Sequence, residues 1–154
     1  AVEAVEAVEA VEAVEAVAGA AAGSVRPTKL VVFCHHRRVL SALQAHLRSL
    51  GAGHVRLDGA TPAGDRHLAV ARFHRDAAAR VALVSVTAAG LGVDLSCAAH
   101  ALFAELPPDA SWLNQAEDRL HRRGQRSAVN VTLLLAHAPP PAAPPAAPPA
   151  APPA

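Results

Sequence analysis

The chain contains no methionine and only two cysteines, Cys34 and Cys97, which lie far apart and form no Cys-x-x-Cys arrangement. That spacing excludes a disulfide framework and a cysteine zinc site, and leaves two small buried hydrophobes of a reducing compartment. Without methionine, Ala1 is not expected to be a native translation start, so the chain reads as a fragment or an incomplete gene model. No apolar run reaches the roughly eighteen residues a membrane helix needs, and the acidic N-terminus lacks the basic character of a secretory or organelle peptide, so no membrane partner is expected. Nine histidines are present, but without a helical His-x-x-x-His pair or a Cys/His knuckle they predict no metal site. Also missing are a G-x-x-x-x-G-K-[ST] phosphate loop and a strand-end Asp-Glu pair for magnesium. On its own, the chain is expected to hydrolyse nothing.

What is present divides into three parts. Residues 1–28 hold five copies of the triplet Ala-Val-Glu and a linker. A three-residue period matches neither helix nor strand, so it cannot present one buried stripe and reads as a low-complexity acidic tail. Residues 138–154, rich in proline and alanine, read as an extended spacer. Between them, residues 29–137 read as one domain. The formal charge of +1 conceals an asymmetry: five of the thirteen acids sit in the tail, leaving the domain with thirteen Lys and Arg against eight acids, about +5. That balance favours a polyanionic partner.

The domain alternates apolar runs with amphipathic ones. "KLVVFC" reads as a strand buried on both faces, and a helix with Leu40, Leu43, Leu47 and Leu50 at helical spacing closes at Gly51. "HVRLDG" is a second strand. Thr61 then reads as a cap ahead of Pro62, opening a helix to about Arg75. "RVALVSV", "HALFAEL" and "VNVTLLLA" complete five strands, the last preceded by a helix from about Asp109 to Arg123. The expectation is an α/β fold: a parallel sheet of about five strands with helices on both faces. Ligands of such sheets gather at the carboxyl ends of the strands, where "HHRR", "DGAT" and "TAAGLGVD" lie.

The most charged stretch is "QAEDRLHRRGQ", residues 115–125. On a helical wheel Leu113, Ala116 and Leu120 share one side, while Gln115, Arg119 and Arg122 share nearly the opposite one. Two guanidiniums on one rigid face suit a phosphate chain through forked hydrogen bonds, and a solvated basic face fits the spacing equally well. In "VSVTAAGLGVDLSCAAH", Thr87 directly follows a buried strand, the glycines permit close backbone approach, and Asp94 is placed to accept from a ribose hydroxyl.

In order, "KLVVFCHH", "RLDGATPAGDR", "VALVSVTAAGLGVDLSCAAH" and "NQAEDRLHRRGQ" resemble the second RecA-like lobe of Swi/Snf-type DNA translocases, with helicase motifs IV, V and VI and the DG-x-T element between the first two. The resemblance covers about Lys29 to Ala136. "FCHH", "LFAEL" and "QAEDR-x-HR-x-GQ" look most like the HepA-related annealing helicases, which use ATP to rewind strands and remodel stalled forks. The resemblance implies Arg122 as arginine finger and Arg119 as its support, with Gln115, Gly92 and Asp94 toward the nucleotide. It implies His35, Gly59, Thr61 and Thr87 toward the DNA backbone. It further implies ATP and magnesium held by a first lobe, forked or duplex DNA as partner, and a nuclear location. Arg123 departs from the family's "HRIGQ". A non-catalytic DNA- or protein-binding fragment is the alternative expectation.

Overall fold

The computed structural model describes residues 29–89, 92–105, 109–120 and 128–134. Five strands form one sheet, β1 (Leu30–Cys34), β2 (His54–Leu57), β3 (Val81–Ser85), β4 (His100–Phe103) and β5 (Asn130–Leu133). Their order is β2-β3-β1-β4-β5, and every pairing is parallel. The two strands with no polar residue before their last position, β1 and β3, are buried along their whole length, as strands covered on both faces must be.

Strand alternation divides the core in two. Val31 and Phe33 face one side with Val55, Leu57 and Phe103, where Phe73 of helix α2 (Ala63–Arg75) and Ala116 of helix α4 (Ser111–Glu117) close over them with Leu120. Leu30, Val32 and Cys34 face the other side, under Val39, Leu40, Leu43 and Leu47 of helix α1 (Arg37–Ser49). Helices therefore cover both faces, and the Phe33 and Phe103 rings stack at 4.9 Å between centroids. Both cysteines are free, and burial pushes the Cys34 thiol up and that of Cys97 to about 11, which suits packing more than reactivity.

Helix α1 ends where glycine permits it. Gly51 has φ +64°, and the amides of Gly51 and Ala52 donate to the carbonyls of Arg48 and Leu47, the two crossed bonds of a Schellman turn. Leu50, placed on the apolar stripe by its spacing, instead occupies the C-cap position and is exposed. Lys29 fastens the start of β1 to the end of α2: its ammonium donates to the carbonyls of Phe73 and Asp76 and sits 5.0 Å from the Phe73 ring centre.

Three local expectations are corrected. Thr61 does not cap α2; Pro62 occupies that place with no side-chain cap bond, because the Thr61 hydroxyl is engaged by Asp58. The chain after β3 turns directly into a short helix, α3 (Val86–Ala89), where the sequence suggested an open loop. Helix α4 begins at Ser111, after Asp109 Oδ1 accepts from the Ser111 amide, and runs to Glu117; residues 121–127 lie outside the described set.

Candidate nucleotide and nucleic-acid interface

The carboxyl ends of β1, β2 and β3 stand side by side, since Cys34 aligns with Ser85 and Leu57 with Val84. His35, the Asp58–Thr61 turn and Thr87 therefore share one edge of the sheet, and each is held by a distinct device.

At β1 the device is Glu105, which follows β4 and is buried despite its charge. Its Oε2 accepts from the amides of His35 at 2.8 Å and His36 at 2.9 Å, and its Oε1 lies 2.5 Å from Nδ1 of His36. A carboxylate at the start of α1 satisfies amides that the helix leaves without partners and meets the positive end of its dipole. The His35 ring, half-buried, packs edge-on against His36 at 4.8 Å.

At β2 the device is Asp58. Its Oδ1 accepts from the Ala60 amide at 2.9 Å and the Thr61 hydroxyl at 3.2 Å, while its own amide donates to Thr61 Oγ1 at 3.0 Å. Arg56 grips Oδ2 through Nε at 3.0 Å and through its other arm at 2.8 Å, and reaches back to Ser41 and Gln44 of α1. Burial raises the Asp58 carboxyl, but the Arg56 hydrogen bond and charge, with the Ala60 and Thr61 bonds, outweigh it and hold the group below its ordinary range. Gly59, at the tip of this turn, is exposed with open space where a Cβ would stand.

At β3, the Thr87 hydroxyl lies on the exposed first turn of α3, 2.9 Å from Ser85 Oγ. Beyond α3, Gly92 adopts φ +77°, a conformation that side chains rarely take. Asp94 Oδ1 accepts from the Ser96 amide at 3.0 Å, and its carbonyl lies 2.9 Å from His74 Nε2. Gly92, Val93 and Asp94 line one wall of a cavity of about 440 Å³ whose other wall is α2, with Arg66 and His67. The Arg66 Nε is buried without a hydrogen-bond partner in the described residues, as is the Nε of Arg119.

Helix α4 packs against α3, and the Leu95 amide donates to the Arg119 carbonyl at 3.1 Å. Leu95, directly after the Gly92–Asp94 segment, is thus fastened to Arg119; Gln115 is exposed on α4, whereas Arg119, expected on the same helix face, lies half-buried in the turn that follows the end of the helix at Glu117. Ala116 and Leu120 are fully buried on the opposite side, and Trp112 and Leu113 pack partly against the same core. Arg122 and Arg123 lie outside the described residues. Sequence reasoning assigned no part to Glu105, Asp58, Arg56 or Arg66. The signal for the first was a single acid closing the apolar run "HALFAEL"; for the pair it was "RLD", two opposite charges two residues apart.

A parallel sheet in this strand order, flanked by helices and carrying its polar residues on the carboxyl edge, is a RecA-like α/β lobe. Residues 11–124 match the helicase conserved C-terminal domain, and the chain belongs to that family. Its relatives include SWI/SNF-related proteins and annealing helicases. It is 41% identical over 110 residues to the SWI/SNF-related matrix-associated actin-dependent regulator of chromatin subfamily A-like protein 1 homolog of Caenorhabditis elegans, covering 71% of this chain and 16% of that protein. It is 40% identical over 109 residues to the DNA annealing helicase and endonuclease ZRANB3 of Mus musculus, covering 71% of this chain and 10% of that protein. The crystal structure of the C-terminal part of the Fun30 ATPase domain superposes with a TM-score of 0.68 at 33% identity, over 70% of this chain and 35% of that one. The chain therefore spans a sixth or less of the length of these curated relatives.

Proposed function

We propose that the chain is the C-terminal lobe of an ATP-dependent DNA translocase of the annealing-helicase type, acting in the nucleus on forked or duplex DNA during fork remodelling and repair. The observation that carries this reading is the convergence of three segments on the carboxyl edge of one sheet, His35, the Asp58–Thr61 turn and Thr87, with Leu95, directly after the Gly92–Asp94 segment, bonded to Arg119.

The residues fit a phosphate-bearing ligand. Buried guanidinium nitrogens at Arg66 and Arg119 want acceptors, and a left-handed glycine lets the backbone come close to an anion. In this reading Arg122 reaches the nucleotide across the interface with a first lobe, Arg119 supports it, and Gln115, Gly92 and Asp94 line the same side. His35, Gly59, Thr61 and Thr87 face the DNA backbone. Bound between the lobes, ATP with magnesium would supply a hydrolysable anhydride, its binding closing the lobes and its hydrolysis letting them reopen; the first lobe would contribute the grip on both. The task of this chain is to hold cations rigidly where charge develops.

The test is duplex binding by this chain across a salt series. The reading expects weak affinity falling steeply with salt, further reduced by Thr87→Val and His35→Ala at every sequence tested, because such contacts position without reading bases. Binding that is independent of salt, or unchanged in both variants, would overturn it.

A further inference from the structure

Among the described residues, strand β2 is the last strand on its side of the sheet and pairs with β3 alone. The Gly53 carbonyl accepts from the Arg80 and Val81 amides on the β3 side, so by alternation the main-chain groups of His54 and Arg56 point to the open side. Edges of this kind are normally blunted by proline, a bulge or a projecting charge. Here "HVRL" has no proline and stays in register with β3 throughout, and its arginine, Arg56, is folded back onto Asp58, Ser41 and Gln44.

Along this edge runs a groove of about 600 Å³ whose two walls differ in chemistry. Arg56 bonds to α1, so by strand alternation His54 shares the α1 side, where Gln44 and Arg48 complete a polar, cationic wall. Val55 packs into the core on the α2 side, where Leu68 and Ala69 form an apolar wall with Arg72 one turn further along. No carboxylate lines the groove. Among the described residues Arg48 makes no ion pair, and Arg72 meets only Asp76, at 3.4 Å. Leu68 is 70% exposed, on a helix that fully buries only Phe73.

The two walls specify an occupant. A strand added about 4.8 Å from β2 turns successive side chains to opposite faces, toward α1 and α2 in alternation. The α1 wall is complementary to carboxylates and the α2 wall to branched apolar side chains, with one further acid where the apolar row reaches Arg72. The matching sequence therefore alternates acids with valine or isoleucine. Main-chain bonds to His54 and Arg56 supply affinity, and the alternation supplies the choice of sequence. A second copy of this chain would set the same arginines against these, like charge against like. A nucleic acid has no amide ladder to offer the open main chain.

We propose that this groove binds an extended segment of a partner protein in which acids alternate with β-branched residues, added as a further strand beside β2. Its acids meet Arg48, His54 and Arg72, and its apolar side chains meet Leu68. Arg48 and Arg72 lie in the last turns of α1 and α2, away from the carboxyl edge, so the site is independent of the DNA reading.

The test titrates the full chain into a fluorescein-labelled, acetylated peptide, Ser-Glu-Val-Glu-Val-Glu-Glu-Ser, followed by fluorescence anisotropy. Saturable binding is expected, weakened at least about tenfold by Arg48→Glu/Arg72→Glu and by Leu68→Asp, and unchanged by Arg75→Glu. The doubly reversed chain is expected to bind the same peptide with lysine in place of glutamate. Regrouping the residues as Ser-Val-Val-Glu-Glu-Glu-Glu-Ser should weaken binding comparably, and methylating every second amide, in two peptides that cover both alternations, should abolish it in at least one. Circular dichroism checks that each variant folds. No binding of the parent peptide, binding insensitive to the double reversal, equal binding by both methylated peptides, displacement by duplex DNA, or a dimer that excludes the peptide would each overturn the proposal.

Discussion

Asp58 is held by a guanidinium, a hydroxyl and an amide, and its charge is therefore worth more to the native state than to the unfolded chain. Its carboxyl is depressed when folded, so just below the ordinary aspartate value of about 4 the unfolded chain binds more protons. The stabilisation is present above that value and lost as pH falls through the folded value. Thermal midpoints are expected to drop below about pH 5 and to drop less steeply in Asp58→Asn; Asp76 and Asp109, depressed likewise by backbone bonds, keep some slope in the variant. A wild-type slope in Asp58→Asn would refute the assignment. Gly53 gives a second expectation. A Cβ there would stand 2.1 Å from the Ala78 carbonyl oxygen, so Gly53→Ala must move backbone, costing about 1–3 kcal/mol in chemical denaturation. Nothing in the sequence marked that demand, because the Ala78 carbonyl that meets Gly53 is 25 residues away along the chain. The Thr61 hydroxyl was misread for the same kind of reason: the amides of the following helix and the amide of Asp58 compete to donate to its oxygen, and only the fold decides between them.

At the scale of elements, strands and crossover helices were legible because burial on two faces leaves uninterrupted apolar runs such as "LVVFC" and "VALVS". Leu40, Leu43 and Leu47 revealed α1 by their spacing, and Gly51 its end. What escaped notice was long-range: Glu105 follows β4 yet serves the amides that follow β1, a partnership across 70 residues. Glu105→Ala should leave both amides unpaired and lower stability by about 1–3 kcal/mol, with a matching loss of protection from hydrogen exchange at His35 and His36. Glu105→Gln retains an acceptor and should restore most of that protection. If the alanine variant exchanges like wild type, the carboxylate does not hold this loop. Helix α2 depends on a single fully buried side chain, Phe73, so Phe73→Ala should cost about 3–5 kcal/mol, read by urea titration.

At the scale of the whole molecule, the central claim is that this lobe presents its arginines to a nucleotide gripped elsewhere. Gln115 was readable from helical periodicity, while the end of α4 before Arg119, and the bond between the Leu95 amide and the Arg119 carbonyl that joins that turn to the stretch after Gly92–Asp94, needed three dimensions. The most direct measurement is DNA-stimulated ATP hydrolysis by a chimera in which this chain replaces the corresponding lobe of the mouse DNA annealing helicase and endonuclease ZRANB3. The account predicts DNA-dependent turnover that falls roughly a thousandfold or more in Arg122→Ala and strongly in Arg119→Ala, with nucleotide affinity reduced far less. A folded chimera that hydrolyses ATP equally well with and without Arg122, or one that binds DNA and nucleotide yet never turns over, would contradict it.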